Sequence, residues 1–198
     1  METKNNIFSA RQLEIIEAAG KLLSHDGIAS LTTKNLAKEM GFSESAIYRH
    51  FKGKEDIIVA LLNYLAINMD ERLTATINKD VSPLDNFTAI FKNQFNFFKK
   101  NKHFIIVTFS EGLLEHSAEI NDAMQHVITI KIKHLLAIFK QAQQQNLFTD
   151  KVKPEDLIHI VMGSFRLLMF KWRMDNFKFD IVKKGDQLIH TFLLLIKK

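Results

Sequence analysis

Residues 31–58 read LTTKNLAKEMGFSESAIYRHFKGKEDII. The pattern predicts two short helices, over residues 33–40 and 43–50, on either side of Gly41. Thr32 and Thr33 suit the start of the first and Ser43 the start of the second, because a hydroxyl there accepts from a free backbone N–H. Gly41 supplies the tight turn between them, and the small Ala37 lets the two helices cross closely. Leu36, Met40, Ile47 and Phe51 predict a small core shared with a preceding helix. Ser43, Glu44, Ser45, Ala46, Tyr48, Arg49 and His50 are then left exposed. Small side chains at the start of the second helix permit close approach to base edges in a major groove. Spacing alone leaves two readings standing, a plain helical hairpin and a helix-turn-helix.

Charge adds a second observation. Within residues 34–54, Lys34, Lys38, Arg49, Lys52 and Lys54 oppose only Glu39 and Glu44, with His50 among them. Such a strip suits phosphate contact, although a solvated helix face has the same composition. The whole chain carries a formal charge of +5.

Upstream, Ser9 and Gln12 have the spacing of a capping box, followed by Leu13, Ile16, Ala19/Gly20 and Leu23 at helical intervals and by Gly27 as a stop. Downstream, Gly53 precedes Lys54-Glu55-Asp56, whose acids suit the positive end of a long helix. No flexible linker intervenes. The expected division is a head over residues 1–54 and a body over 55–198. In the body, Ser82-Pro83-Leu84-Asp85 and Pro154-Glu155-Asp156 start helices. Further helices are expected around 103–116, 118–145 and 180–197. The expectation is nine helices and an all-α fold, which seven Gly and two Pro in 198 residues favour over a hairpin-rich β chain.

The same stretch resembles the signature of the TetR family of transcriptional regulators, with its Thr-Thr, Ala, Gly, Tyr-x-His-Phe and Lys-x-Lys elements in register over roughly residues 9–62. The resemblance implies a three-helix DNA-binding head on a helical body that binds a small effector and forms a homodimer. Carried over by position, it implies that Thr33, Tyr48, His50 and Lys54 meet phosphates, and that Lys34, Glu44, Ser45 and Ala46 lie nearest the bases. Taken alone, Tyr48 either donates to a phosphate or packs its ring on Lys52, and His50 either meets DNA or caps its own helix. Lys54 stands at a helix start, where an anion is welcome. Glu44 and Ser45 depart from the family pattern. An acid in the groove repels phosphate, so Glu44 either accepts from a cytosine amine or points away.

The body holds most of the 17 Phe. Phe91, Phe95, Phe109, Phe165 and Met169 read either as core or as the lining of an apolar cavity, and Phe87, Phe98 and Phe104 as core. Such a lining favours an apolar or amphipathic effector. Arg166, inside IVMGSFRLLMF, must pair with a carboxylate, reach solvent or meet an acidic ligand. Gly163 and Ser164 form a small-residue notch, and Gly185, Ile189, Phe192, Leu193 and Ile196 an apolar stripe; each reads as internal core or as part of a four-helix dimer interface. The resemblance favours the dimer.

Catalytic readings are weak. There is no Cys, no H-E-x-x-H, no Gly-rich phosphate loop and no G-x-S-x-G elbow. The pairs Glu111/Glu115 and Glu155/His159 have one-face spacing but suit wetted surfaces. We therefore expect no enzyme, no metal and no cofactor. The partners expected are double-stranded DNA, a small effector and a second copy, and not a membrane. The absence of a signal-like or spanning apolar run leads us to expect a cytoplasmic location. The expected function is a ligand-responsive repressor on an inverted-repeat operator. The alternatives are a helical lipid or small-molecule carrier without DNA binding, and a nucleoid-associated protein without an inducer.

Overall fold

The computed structural model describes residues 7–109 and 117–198. Among them the chain forms α1 (Ala10–Asp26), α2 (Thr33–Met40), α3 (Glu44–Tyr48), α4 (Lys54–Thr76), α5 (Pro83–Lys100), α6 (Lys102–Thr108), α7 (Ala118–Gln144), α8 (Pro154–Met174) and α9 (Ile181–Ile196), with one 3-10 turn at Ile28–Ser30. The fold is all-α, as the sequence predicts. Glu111 and Glu115 lie outside the described residues.

Two compact units emerge. One holds the described residues up to Tyr64 and those from Lys102 to Met124; the other holds residues 65–101 and 125–198. The expected boundary at 54/55 coincides with no break in the helix, since α4 continues from Lys54 to Thr76.

In the first unit α1 opens with the predicted capping box. The Ser9 amide donates to Gln12 Oε1 at 2.9 Å, and the Gln12 amide donates to Ser9 Oγ at 3.2 Å. Gly27 ends α1 with φ 73°, a conformation an L side chain rarely adopts. Ile15, Ile16, Ala18, Ala19 and Leu23 face the core. Leu13, expected on that stripe, lies at its edge and is 37% exposed. Thr32 caps α2 through the Asn35 amide at 3.1 Å, and Gly41 closes it in the left-handed region. Leu36, Ile47 and Phe51 are buried as predicted. Ser43 precedes α3 but its side chain does not cap it; its hydroxyl bonds to that of Ser45 at 2.8 Å. α6 packs on α1, where the His103 ring lies 3.2 Å from the site a Cβ on Gly20 would take.

The second unit is a phenylalanine core. Ser82 caps α5 through the Asp85 amide at 3.2 Å, with Pro83 in the first turn. Phe87 packs against Phe91, Phe139 and Phe192 with ring centroids 5.0, 5.5 and 5.8 Å apart. α9 lies directly on α5: a Cβ on Gly185 would come within 2.4 Å of the Phe95 ring, so only glycine permits this approach.

Candidate functional site

The helix-turn-helix presents its polar residues as an organised set. Thr33 Oγ1 donates to Glu44 Oε2 at 3.1 Å and lies 3.3 Å from the Tyr48 hydroxyl. Thr33 has one proton, given to Glu44, so Tyr48 is the donor in the second bond. Glu44 is therefore held against its own head. Lys34, Glu44, Ser45 and Tyr48 are exposed, Thr33, Ala46 and His50 half-buried. Lys54 is half-buried and its Nζ donates to the Ile28 carbonyl at 2.9 Å. It ties the start of α4 to the 3-10 turn and keeps two further N–H groups for an anion. The Arg11 guanidinium stacks 4.8 Å above the Phe42 ring, a cation placed beside the turn that motif reading passes over.

Within the second unit the structure brings together most of the expected effector residues. The Phe165 ring lies 5.8 Å from Phe91 and 5.3 Å from Phe95, and Met169 is fully buried one turn further along α8. Two of the named residues lie apart from this cluster. Phe109 belongs to the first unit, just past the end of α6. Arg166 lies on the exposed side of α8, so its charge poses no burial problem, and solvent access is one of the three alternatives its sequence context leaves open.

The buried cation is instead Lys131, 8% exposed, whose Nζ sits 4.0 Å above the Phe165 ring. Burial, and then the Arg72 charge, push its ammonium down to about 7. Arg72 is anchored by Nε to Asn68 Oδ1 at 2.7 Å and by Nη1 to Asn93, and burial brings it down to about 10. Gln94 is fully buried. Sequence reading missed all three. The signal was present for Lys131, which falls on the stripe Ile120, Met124, Val127, Lys131, Leu135, Ile138 of α7.

The expected interface residues divide. Gly185, Ile189, Phe192 and Ile196 are buried inside the subunit, where α5 covers them, and are not offered to a second copy. Leu193 and Ser164 are half-buried, while Gly163 is exposed with open space around it. The apolar side chains left outside are Ile160, Leu167, Leu194 and Leu195, which are 54, 54, 68 and 76% exposed.

A short helix that shows bases a row of small and polar side chains, flanked by cations, is a device for entering a major groove. Joined in one chain to a larger helical unit with polar side chains buried in an aromatic core, it defines the class of ligand-responsive DNA-binding regulators. Residues 15–61 match the model of the tetR family of bacterial regulatory proteins, and residues 66–197 match that of the YsiA-like protein, C-terminal region. The chain belongs to the tetR family.

Relatives are distant, and the length matched differs among them. The chain is 20% identical to the fatty acid metabolism regulator protein of Bacillus subtilis (strain 168) over 183 residues, which cover 92% of this chain and 94% of that one. Over 117 residues it is 27% identical to the nucleoid occlusion factor SlmA of Haemophilus influenzae (strain PittGG), covering 59% of this chain and 54% of SlmA. Its fold is that of the transcriptional regulator FadR from Bacillus subtilis, solved in complex with stearoyl-CoA. The TM-score is 0.80 at 19% identity, covering 91% of this chain and 97% of FadR. No helix among the described residues is long and apolar enough to cross a membrane.

Proposed function

We propose that this chain is a repressor that holds an inverted-repeat operator as a homodimer and releases it on binding an acyl effector. The observation that carries this reading is the aromatic interior around Phe91, Phe95 and Phe165, which encloses the buried cation Lys131. An ordinary core excludes unpaired charge, and an amphipathic ligand uses both features. The likeness to a regulator solved with stearoyl-CoA supports an acyl compound over a sugar or amino acid.

The proposed dimer forms through the outer faces of α8 and α9. Ile160, Leu167, Leu194 and Leu195 are apolar and outward, and Gly163 between them admits a second helix closely. Coupling passes along α4, whose first residue, Lys54, is tied to the head and whose later turns carry Arg72. Displacement of its Arg72 end by a ligand shifts the start and alters the separation of the two recognition helices.

The test is an operator titration with and without an acyl compound. Linkage requires each ligand to weaken the other by one factor, typically about 5- to 150-fold. An acyl ligand that stabilises the protein yet leaves operator affinity unchanged refutes the mechanism. Many dispersed sites without inverted symmetry would favour the nucleoid reading that the SlmA likeness suggests, and no DNA binding at all the carrier.

A further inference from the structure

Three polar side chains inside the second unit hold hydrogen-bonding capacity that the described residues leave unused. Neither Nε2 nor Oε1 of the fully buried Gln94 has a partner. Arg72, held by Asn68 and Asn93 with its guanidinium 3.7 Å from the Phe97 ring centre, keeps a buried Nη2 without one. Lys131 faces the Phe165 ring and forms no hydrogen bond or ion pair among the described residues.

Arg72 and Gln94 adjoin one stretch of α5, and Lys131 is linked to it through the Phe165 ring. Asn93 and Phe97 secure Arg72, and Gln94 lies between them. Phe95 and Phe98 pack on the Phe165 ring that carries Lys131, with centroids 5.3 and 6.3 Å away. The nearest acid in sequence to Arg72 that is part-buried is Asp70, and it is already engaged. It accepts from Lys133 at 3.2 Å and pairs with His134 at 2.6 Å.

The free capacity is one-sided. Lys131, the Arg72 arm and the Gln94 amide nitrogen offer only N–H donors, and Gln94 Oε1 is the sole acceptor. A buried cation without a counter-ion, with the half-buried Arg72 as a second positive charge in the same unit, weakens a fold. The group that matches them accepts hydrogen bonds and carries negative charge, and a carboxylate does both. A thioester offers a neutral carbonyl, and its nucleotide must still reach solvent.

We infer that Lys131, Arg72 and Gln94 form the seat for a carboxylate head on an apolar chain, so that the effector is a free amphipathic acid. This rests on the reading of the chain as an effector-released regulator.

The test uses the full chain and three matched probes: dodecanoate, dodecanol and dodecanoyl-coenzyme A. Calorimetric titration of the native protein should show dodecanoate binding at least about 30-fold more tightly than dodecanol, the effect expected of a buried charged hydrogen bond. Lys131→Met should weaken dodecanoate by a similar factor and leave dodecanol unchanged or tighter. Gln94→Leu should weaken dodecanoate about 5-fold. Without ligand, Lys131→Met should melt higher than the native protein, since it removes an unpaired buried charge.

Dodecanoate affinity equal in native and Lys131→Met protein overturns the assignment, as does dodecanol binding as tightly as dodecanoate, or no binding by any probe. If the thioester binds native and variant proteins alike and releases operator, the regulator reading survives and the carboxylate seat falls. If dodecanoate binds through Lys131 without affecting operator affinity, the seat stands and the release mechanism falls.

Discussion

Thr33 and Glu44 are joined across the turn of the head, with the Thr33 hydroxyl donating to the Glu44 carboxylate at 3.1 Å and the Tyr48 hydroxyl 3.3 Å behind it. The acid at the recognition surface is thus restrained by a residue of the preceding helix. Tyr48 has a single proton, so it must leave Thr33 before it can donate to a phosphate. Tyr48→Phe is expected to weaken binding to every DNA sequence by about 5-fold, the worth of one hydrogen bond. Glu44→Gln is expected to raise affinity for non-operator DNA by relieving repulsion. Fluorescence anisotropy with operator and scrambled duplexes measures both, and unchanged Tyr48→Phe binding rejects the phosphate role.

Lys54 has two separable roles. Its bond to the Ile28 carbonyl is structural, and Lys54→Ala should cost about 1–2 kcal/mol of stability. A phosphate contact, if made, lowers the slope of log affinity against log salt by about one unit. Urea unfolding reads the first and a salt series of operator titrations the second. A slope unchanged in Lys54→Ala leaves the residue a tether only.

Gly185→Ala tests how α9 sits on α5. The added methyl meets a fully buried Phe95 ring at 2.4 Å, well inside contact distance. Overpacking of this kind costs about 1–3 kcal/mol, more than the roughly 1 kcal/mol by which alanine favours a helix. The variant should lose stability in thermal unfolding. A gain would mean that the two helices separate easily.

His103 makes stability depend on pH. Burial pushes its imidazole down to about 4, from an ordinary value near 6.5. Between those values the unfolded chain binds a proton that the folded chain refuses, so this contribution is complete above pH 6.5 and lost as pH falls towards 4. The loss approaches about 3 kcal/mol. Denaturant midpoints measured from pH 7.5 to 4.5 should fall more steeply for the native chain than for His103→Phe. Parallel curves exclude His103 as the cause.

The outward apolar face predicts the state of assembly. Leu167→Glu and Leu194→Glu place charge on positions 54 and 68% exposed in the single chain, so each should leave the helix content intact. Light scattering should find the native chain dimeric and both variants monomeric, with operator binding lost alongside. A dimer that survives both changes moves the interface elsewhere.

Local chemistry was enough for most of the helix ends. The capping box at Ser9 and Gln12, the turn at Gly41 and the caps at Thr32 and Ser82 depend on residues within a few positions of one another, and all formed. Ser43 shows the limit even there, since Ser45 offered its hydroxyl a competing partner.

Which apolar face of a helix turns inward is a different kind of question. α8 is apolar on two sides, and periodicity marks both without ranking them. Packing buries Val161, Phe165 and Met169 and leaves Ile160 and Leu167 outside, which also takes Arg166 to the surface. On α9 the stripe through Gly185 was drawn inward because a missing Cβ lets Phe95 approach. Lys131, Arg72 and Gln94 come from three helices separated by long stretches of chain. Their unmet hydrogen bonds exist only once those helices are packed, because satisfaction of a polar atom belongs to its neighbours in space and not to its own residue.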